Sequence, residues 1–243
     1  MTNDVQKADF WKRISAYLFD LIMFFIVTVG VAWLLTAVLQ FDSHIAAKNA
    51  AYEQLEAVYG DEALAEMTYD DLSAEMKTVY GEWSKENAQL FNLFLLTVVF
   101  SPLFAYLLLE FFVPLKLGHG RTLGKKIFGI GLMRVDGVKV SGVQLFVRTV
   151  LGKYTVETMI PVMLVILFFS QIMPLACLFG IALIFLLQLC FLFTTRYRTL
   201  IHDMMAATVA VDYSSQRIFE SEEEKLAYEK RVHAEMAARA EYR

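Results

Sequence analysis

The chain has 243 residues, of which 57% are hydrophobic and 20% charged, with a formal net charge of −4. That balance excludes an ordinary soluble domain and points to an integral membrane protein. With no basic excess, nucleic acid is not an expected partner. The net charge itself is uninformative, because the charges are segregated along the chain.

A hydrocarbon core about 30 Å thick needs roughly 20 apolar residues in helix. Taken in chain order, the first such run spans about residues 14–39. It is longer than a secretory h-region, an acid interrupts it, and no small-x-small cleavage pattern follows Leu39. A retained spanning helix is the expectation. Residues 40–89 follow, rich in Ala, Glu, Leu, Lys and Met, with a Thr68-x-x-Asp71 capping box. They read as a solvated helical insertion whose last helix runs on into the membrane. A ligand-gathering cap is the sharper alternative.

The second run covers about residues 90–113. Residues 114–153 then form a basic loop, in which "GHGRTLGKKIFGI" makes a glycine-rich turn and Asp136-Gly137 joins two β-prone runs. That dipeptide predicts a small β-hairpin over residues 127–141. The turn lacks the spacing and the hydroxyl of a Walker A loop, so nucleotide binding has no support. "GVQLFVRTVLGKYTVE" reads as an amphipathic helix at the membrane surface. An apolar stretch from Met159 to Thr194 is broken by "SQIMP", which predicts two helices at about 154–169 and 175–195. "TVAVDY", Thr208 to Tyr213, alternates like a strand and is expected to join the hairpin. Residues 214–243 carry mixed charges at helical spacing and read as a solvated cytoplasmic helix.

Lys and Arg in the loops set the orientation. Residues 40–89 hold eleven acids against Lys48, Lys77 and Lys85, whereas residues 114–153 hold eight bases against Asp136 alone. The first segment is therefore expected outside and the second inside. The reading is an all-α polytopic membrane protein with four spanning helices, both termini cytoplasmic, a small cytoplasmic β-hairpin and a helical extracytoplasmic insertion. Residues 1–213 form the membrane domain, in the cell (inner) membrane.

Asp20 is the residue that needs explaining. It lies about 9 Å past Ile14 at 1.5 Å per residue, and a buried aspartate costs about 2.5–3.5 kcal/mol on insertion scales. Arg13 leans outward to the headgroups and anchors the helix, so Asp20 requires a partner from elsewhere. Glu110, Arg196, Arg198, a loop lysine such as Lys125, His202 and Asp203 are the candidates. If the fourth helix continues, Arg196 and Asp203 repeat the seven-residue spacing of Arg13 and Asp20.

Three readings follow. In the first the charges lock helices together. In the second Asp20 and Glu110 exchange a proton with a monovalent cation, while His202 and Asp203 relay protons inward; a homo-oligomer would then complete the pathway. In the third the chain is a non-catalytic adaptor or assembly subunit, whose segment 214–243 binds a cytoplasmic partner. The basic inner face suits anionic headgroups in any case. No nucleophile elbow, metal-ligand spacing or cofactor motif is present, so no enzymatic activity is expected, and Cys177 and Cys190 lie too far apart on one helix to pair.

"RISAYLFD", "GRTLGKKIFGI" and "LIHDMMAATVAV" together resemble the RDD family of membrane proteins, named for one arginine and two aspartates. The resemblance covers the first helix and about residues 90–212. It implies Arg13 as the arginine, Asp20 as the first aspartate and Asp203 as the second. It also implies a membrane protein of largely unassigned role, with transport of ions or small ligands suggested and sodium/proton antiport reported for some members.

Overall fold

The computed structural model describes residues 5–241 except 172, 196 and 198. Its elements in chain order are α1 (Phe10–Val38), α2 (Phe41–Tyr59), α3 (Asp61–Glu66), α4 (Ala74–Leu117), α5 (Leu123–Ile127), β1 (Ile130–Arg134), α6 (Gly142–Phe169), α7 (Pro174–Thr194), α8 (Ile201–Met205), β2 (Thr208–Asp212) and α9 (Glu222–Glu241). Helices α1, α4, α6 and α7 are long and apolar enough to cross a membrane. The protein is therefore a mostly helical, multi-pass membrane protein with a small sheet.

The spanning helices start earlier than the hydropathy alone predicts. Helix α4 begins at Ala74 and runs through the expected junction at residue 90 without a break. The amphipathic segment after Ser141 is likewise continuous with the third span, so α6 begins at Gly142 rather than near residue 154. Ser141 starts it with a capping box closed by Gln144. Pro174 opens α7 at a position where its missing N–H costs nothing. Helix α7 does not continue toward Asp203: it ends at Thr194, and α8 is a separate turn.

Contacts divide the chain into two compact units. One comprises residues 1–25 and 105–243, the other residues 26–104. In the first, Phe24 of α1 meets Tyr106 of α4 with ring centroids 4.5 Å apart, and the Tyr106 hydroxyl lies 2.9 Å from Thr158 Oγ1 of α6. Gly180 lets α7 close on Leu164 of α6. In the second, α2 and α4 are tied by His44 Nδ1 and Glu86 Oε2 at 2.6 Å, with Ala51 and Leu55 buried. The Thr68–Asp71 capping box is formed.

The sheet departs from the predicted hairpin. β1 pairs antiparallel with β2, from Ile130 opposite Asp212 to Arg134 opposite Thr208. The Asp136-Gly137 turn is present, with Gly137 at φ 92°, but residues 138–141 meet β1 through a single bridge, between Met133 and Lys139. Val209 and Val211 are 1% and 0% exposed. Burying such side chains contributes about 1.5–3 kcal/mol each, which explains why "TVAVD" displaces the local partner. Both ends of the chain widen the sheet. Lys7 bridges Val211, and Phe219 bridges Val138.

Candidate functional site

The charged residues gather in the first unit, in two groups. The first surrounds Asp20. Its Oδ2 accepts a 2.5 Å hydrogen bond from the Thr122 hydroxyl, and its Oδ1 accepts one of 2.8 Å from the Gly124 amide. Thr122 also caps α5 itself, its hydroxyl accepting from the Lys125 amide at 3.3 Å. Asp20 thus finishes the start of a neighbouring helix whose amides would otherwise be unpaired. The arrangement depends on small residues. A Cβ on Gly124 would sit 2.4 Å from the Ala16 carbonyl oxygen and 2.9 Å from Asp20 Oδ1. Ala16 and Asp20, four apart on one helical face, therefore receive the "GRTLG" turn as a unit.

This narrows the expectation for Asp20. Its hydrogen bonds among the described residues come from a hydroxyl and an amide of the basic loop, neither Glu110, His202 nor Asp203 is a donor to it, and of the expected cations Lys125 lies close enough to interact with its charge. Arg13 is half-buried on the same helix. Arg196 and Arg198 lie outside the described residues.

The second group is a buried network centred on Arg148. Its Nε donates to Asp203 Oδ1 at 2.8 Å, and its Nη1 faces Glu110 Oε2 at 3.5 Å. Glu110 Oε1 accepts from Lys153 Nζ, and Lys125 Nζ lies 4.0 Å from Oε2. Thr208 of β2 donates to Asp203 Oδ1 at 3.0 Å. On the far side, His202 Nδ1 lies 2.8 Å from both oxygens of Glu157, and its backbone amide donates to Glu157 Oε1 at 3.1 Å. His202 Nε2 faces Asp203 Oδ2 at 3.5 Å. The side chains of Arg148 and Asp203 are only 4% and 5% exposed.

Three carboxylates, Glu110, Glu157 and Asp203, thus face three cations, Lys125, Arg148 and Lys153. Burial pushes the Asp203 carboxyl up, but the charges of Arg148, His202 and Lys125 and the Arg148 hydrogen bond together outweigh it and hold the group well below the usual carboxylate range. Burial lowers the Lys125 ammonium to about 8, with Arg148 adding to the effect. Among the described residues, no three His, Cys, Asp or Glu side chains gather as a metal-binding group.

Local winding brings the network together. Leu107–Phe112, which holds Glu110, and Val147–Met159, which holds Arg148, Lys153 and Glu157, are wound as π-helix. The i→i+5 winding turns Arg148 and Lys153 toward one side of the helix. Gly152 adds a close approach: a Cβ there would lie 2.6 Å from the His202 Cβ.

Of the predicted residues, Glu110, Lys125, His202 and Asp203 belong to this network, and Asp20 belongs to the neighbouring turn. The sequence reading placed Arg148 and Lys153 on a membrane-surface helix and passed over Glu157, Thr122, Gly124 and Gly152. The Thr122-x-x-Lys125 spacing of an N-cap was the available signal for the first turn.

The RDD family model matches residues 7–207, well over half of the chain. The chain belongs to the RDD family. The match includes residues 40–89, which the resemblance in the motifs alone had left outside. Comparison with curated proteins and with solved structures gives no match. In this RDD protein, Asp20 and Asp203 hold different partners: Thr122 and Gly124 of the basic segment for one, Arg148 of α6 and Thr208 of β2 for the other.

Proposed function

We propose that this RDD protein is a non-catalytic adaptor or assembly subunit of the cell membrane, with both termini cytoplasmic, whose Arg/Asp cluster locks its cytoplasmic segments onto the inner ends of the spanning helices. One observation carries the reading: each acid already has partners within the protein. Asp20 is held by Thr122 and Gly124, Glu110 Oε1 by Lys153 with the Arg148 charge 3.5 Å from Oε2, and Asp203 by Arg148 and Thr208. A carboxylate that carries a cation must give up its partners in each cycle. Breaking one side of a buried pair costs about 3–5 kcal/mol.

The orientation is supported by the loop charges, eight bases against one acid in residues 114–153. Lys116 and Lys126, both exposed, then suit the anionic headgroups of the inner leaflet. Helix α9 lies beyond the family match and is mostly exposed, which suits a segment that engages a cytoplasmic partner. The lock is tested by Arg148→Met, Asp203→Asn and the double variant, unfolded in detergent. Strong non-additivity, about 1–3 kcal/mol, is expected for residues in one network. Additive losses would remove the lock.

A second reading, transport of a proton or monovalent cation, is favoured by His202, an imidazole set between two carboxylates. Proteoliposomes with an imposed pH gradient decide between the two. Cation-dependent proton flux that Asp20→Asn abolishes would replace the lock by transport.

A further inference from the structure

In three places of the first unit, polar and apolar side chains are turned the opposite way from a surface that meets water. On the first turns of α6, Arg148, Thr149 and Gly152 are buried, while Val143, Phe146 and Leu151 are exposed, Val143 by 74%. On α8, His202 and Asp203 are buried and the Met204 and Met205 that follow them are 48% and 44% exposed. On α5, Lys125 turns inward to Glu110 and Ile127 is exposed. The charges face one another, so the outward sides are left apolar. Water selects the reverse arrangement, whereas ionisable groups that sit inside a membrane point into the protein and leave apolar groups to the lipid.

The exposed side chains at the end of α4 and the start of α6 adjoin. The Phe111 ring centroid lies 5.2 Å from that of Phe112 and 5.8 Å from that of Phe146, and Gly142 sits so close to Leu115 that a Cβ there would lie 3.6 Å from its Cδ2. Phe112, Leu115, Val143 and Phe146 thus make one apolar patch, which calls for a cover. It runs on into the exposed Leu108 of the spanning helix α4, a surface that the bilayer covers. Lys116 stands exposed at its edge, and residues 111–135 contain no acid. The depth agrees. Phe146 lies about 35 Å from Phe169, the end of the span, at 1.5 Å per residue, and hydrocarbon core plus headgroup zones measure roughly 40–45 Å.

We propose that this patch is a seat for inner-leaflet phospholipid, with acyl chains on Phe112, Leu115, Val143 and Phe146 and an anionic headgroup on Lys116. Lipid then forms the outer wall of the Arg148 network. Continuity with Leu108 and the positive edge favour lipid over a soluble protein or a second copy. The seat rests on the headgroup reading above and takes its leaflet from the proposed orientation; the lock between Arg148 and Asp203 is independent of it.

The test is spin labelling of the full-length protein in nanodiscs of phosphatidylcholine with phosphatidylglycerol. In a Cys190→Ala background, whose remaining Cys177 is buried, Val143→Cys and Phe146→Cys carry the label one at a time, with Ala234→Cys on exposed α9 as the reference for water. Oxygen concentrates in hydrocarbon and a nickel chelate in water, so their effects on the label report its depth. Labels at 143 and 146 are expected about 5–10 Å into the headgroup/acyl boundary. A nickel response equal to that at 234 would overturn the seat in favour of water, and a weak response to both reagents would overturn it in favour of a protein cover. Nanodiscs of phosphatidylcholine alone, and Lys116→Gln in the mixture, are each expected to shift the 143 label toward the nickel reagent; an unchanged position in either would overturn the headgroup on Lys116. The two leaflets of a nanodisc are alike, so a reversed orientation would not imitate failure of the seat. Non-additivity of Arg148→Met and Asp203→Asn together with water-exposed labels removes the seat and keeps the lock.

Discussion

Acids are plentiful in residues 40–89 and scarce in the network around Arg148, yet the scarce ones do more to fix the fold. In the first segment each acid that bonds does so once or locally, as in Glu86 with His44, Asp61 with Tyr52 and Asp71 with Thr68. These contacts lie at or near the surface, where an ion pair contributes about 0–1 kcal/mol. In the network, Glu110 faces three cations and Asp203 shares one guanidinium with it, all out of water. What separates the two regions is burial and shared partners, and the number of charges matters little.

That contrast can be broken in three places. The largest effect is expected for Arg148→Met, which strands Glu110 and Asp203 together and should cost about 3–5 kcal/mol in detergent unfolding; a loss under about 1 kcal/mol would put the network on a par with the outer segment. Gly124→Ala comes next. Its Cβ would meet the Ala16 carbonyl oxygen, a backbone atom that cannot swing aside, so a loss of about 1–3 kcal/mol is expected by the same measurement. A shorter residue on α1 offers no relief, since the oxygen belongs to the main chain. Glu86→Gln is the smallest: it leaves a hydrogen bond to His44 possible and should change stability by no more than about 0.5–1 kcal/mol. A loss as large as that of Arg148→Met would show that the outer pair is not a surface contact.

Hydropathy and loop charge were enough to read four spans, the basic loop and the strand at "TVAVD", because each is a property of composition or of period two. The network was harder to read. At 3.6 residues per turn, Arg148 and Lys153 fall about 140° apart, so an α-helical wheel separates two cations that the π-wound stretch brings to one side. The hydroxyl and amide that hold Asp20 were missed for a different reason. Charge invites a charged partner, but a carboxylate is also satisfied by a hydroxyl and an amide at a helix start, and nothing within "RISAYLFD" reveals that the turn from residue 121 will arrive there. Gly124 and Gly152 are legible only as close approaches, which exist once two segments meet. The hairpin at Asp136-Gly137 was read correctly as a turn, and the strand that pairs with β1 came from farther along the chain because it buries two valines.

The bridge between Lys7 and Val211 gives the protein an order of assembly. Lys7 finds its strand partner about two hundred residues farther along the chain, beyond α7. Contacts of such long separation form late. The sheet therefore closes only on a chain whose four apolar helices have all been synthesised, and a chain stopped short of β2 exposes an unpaired strand edge that quality control can recognise.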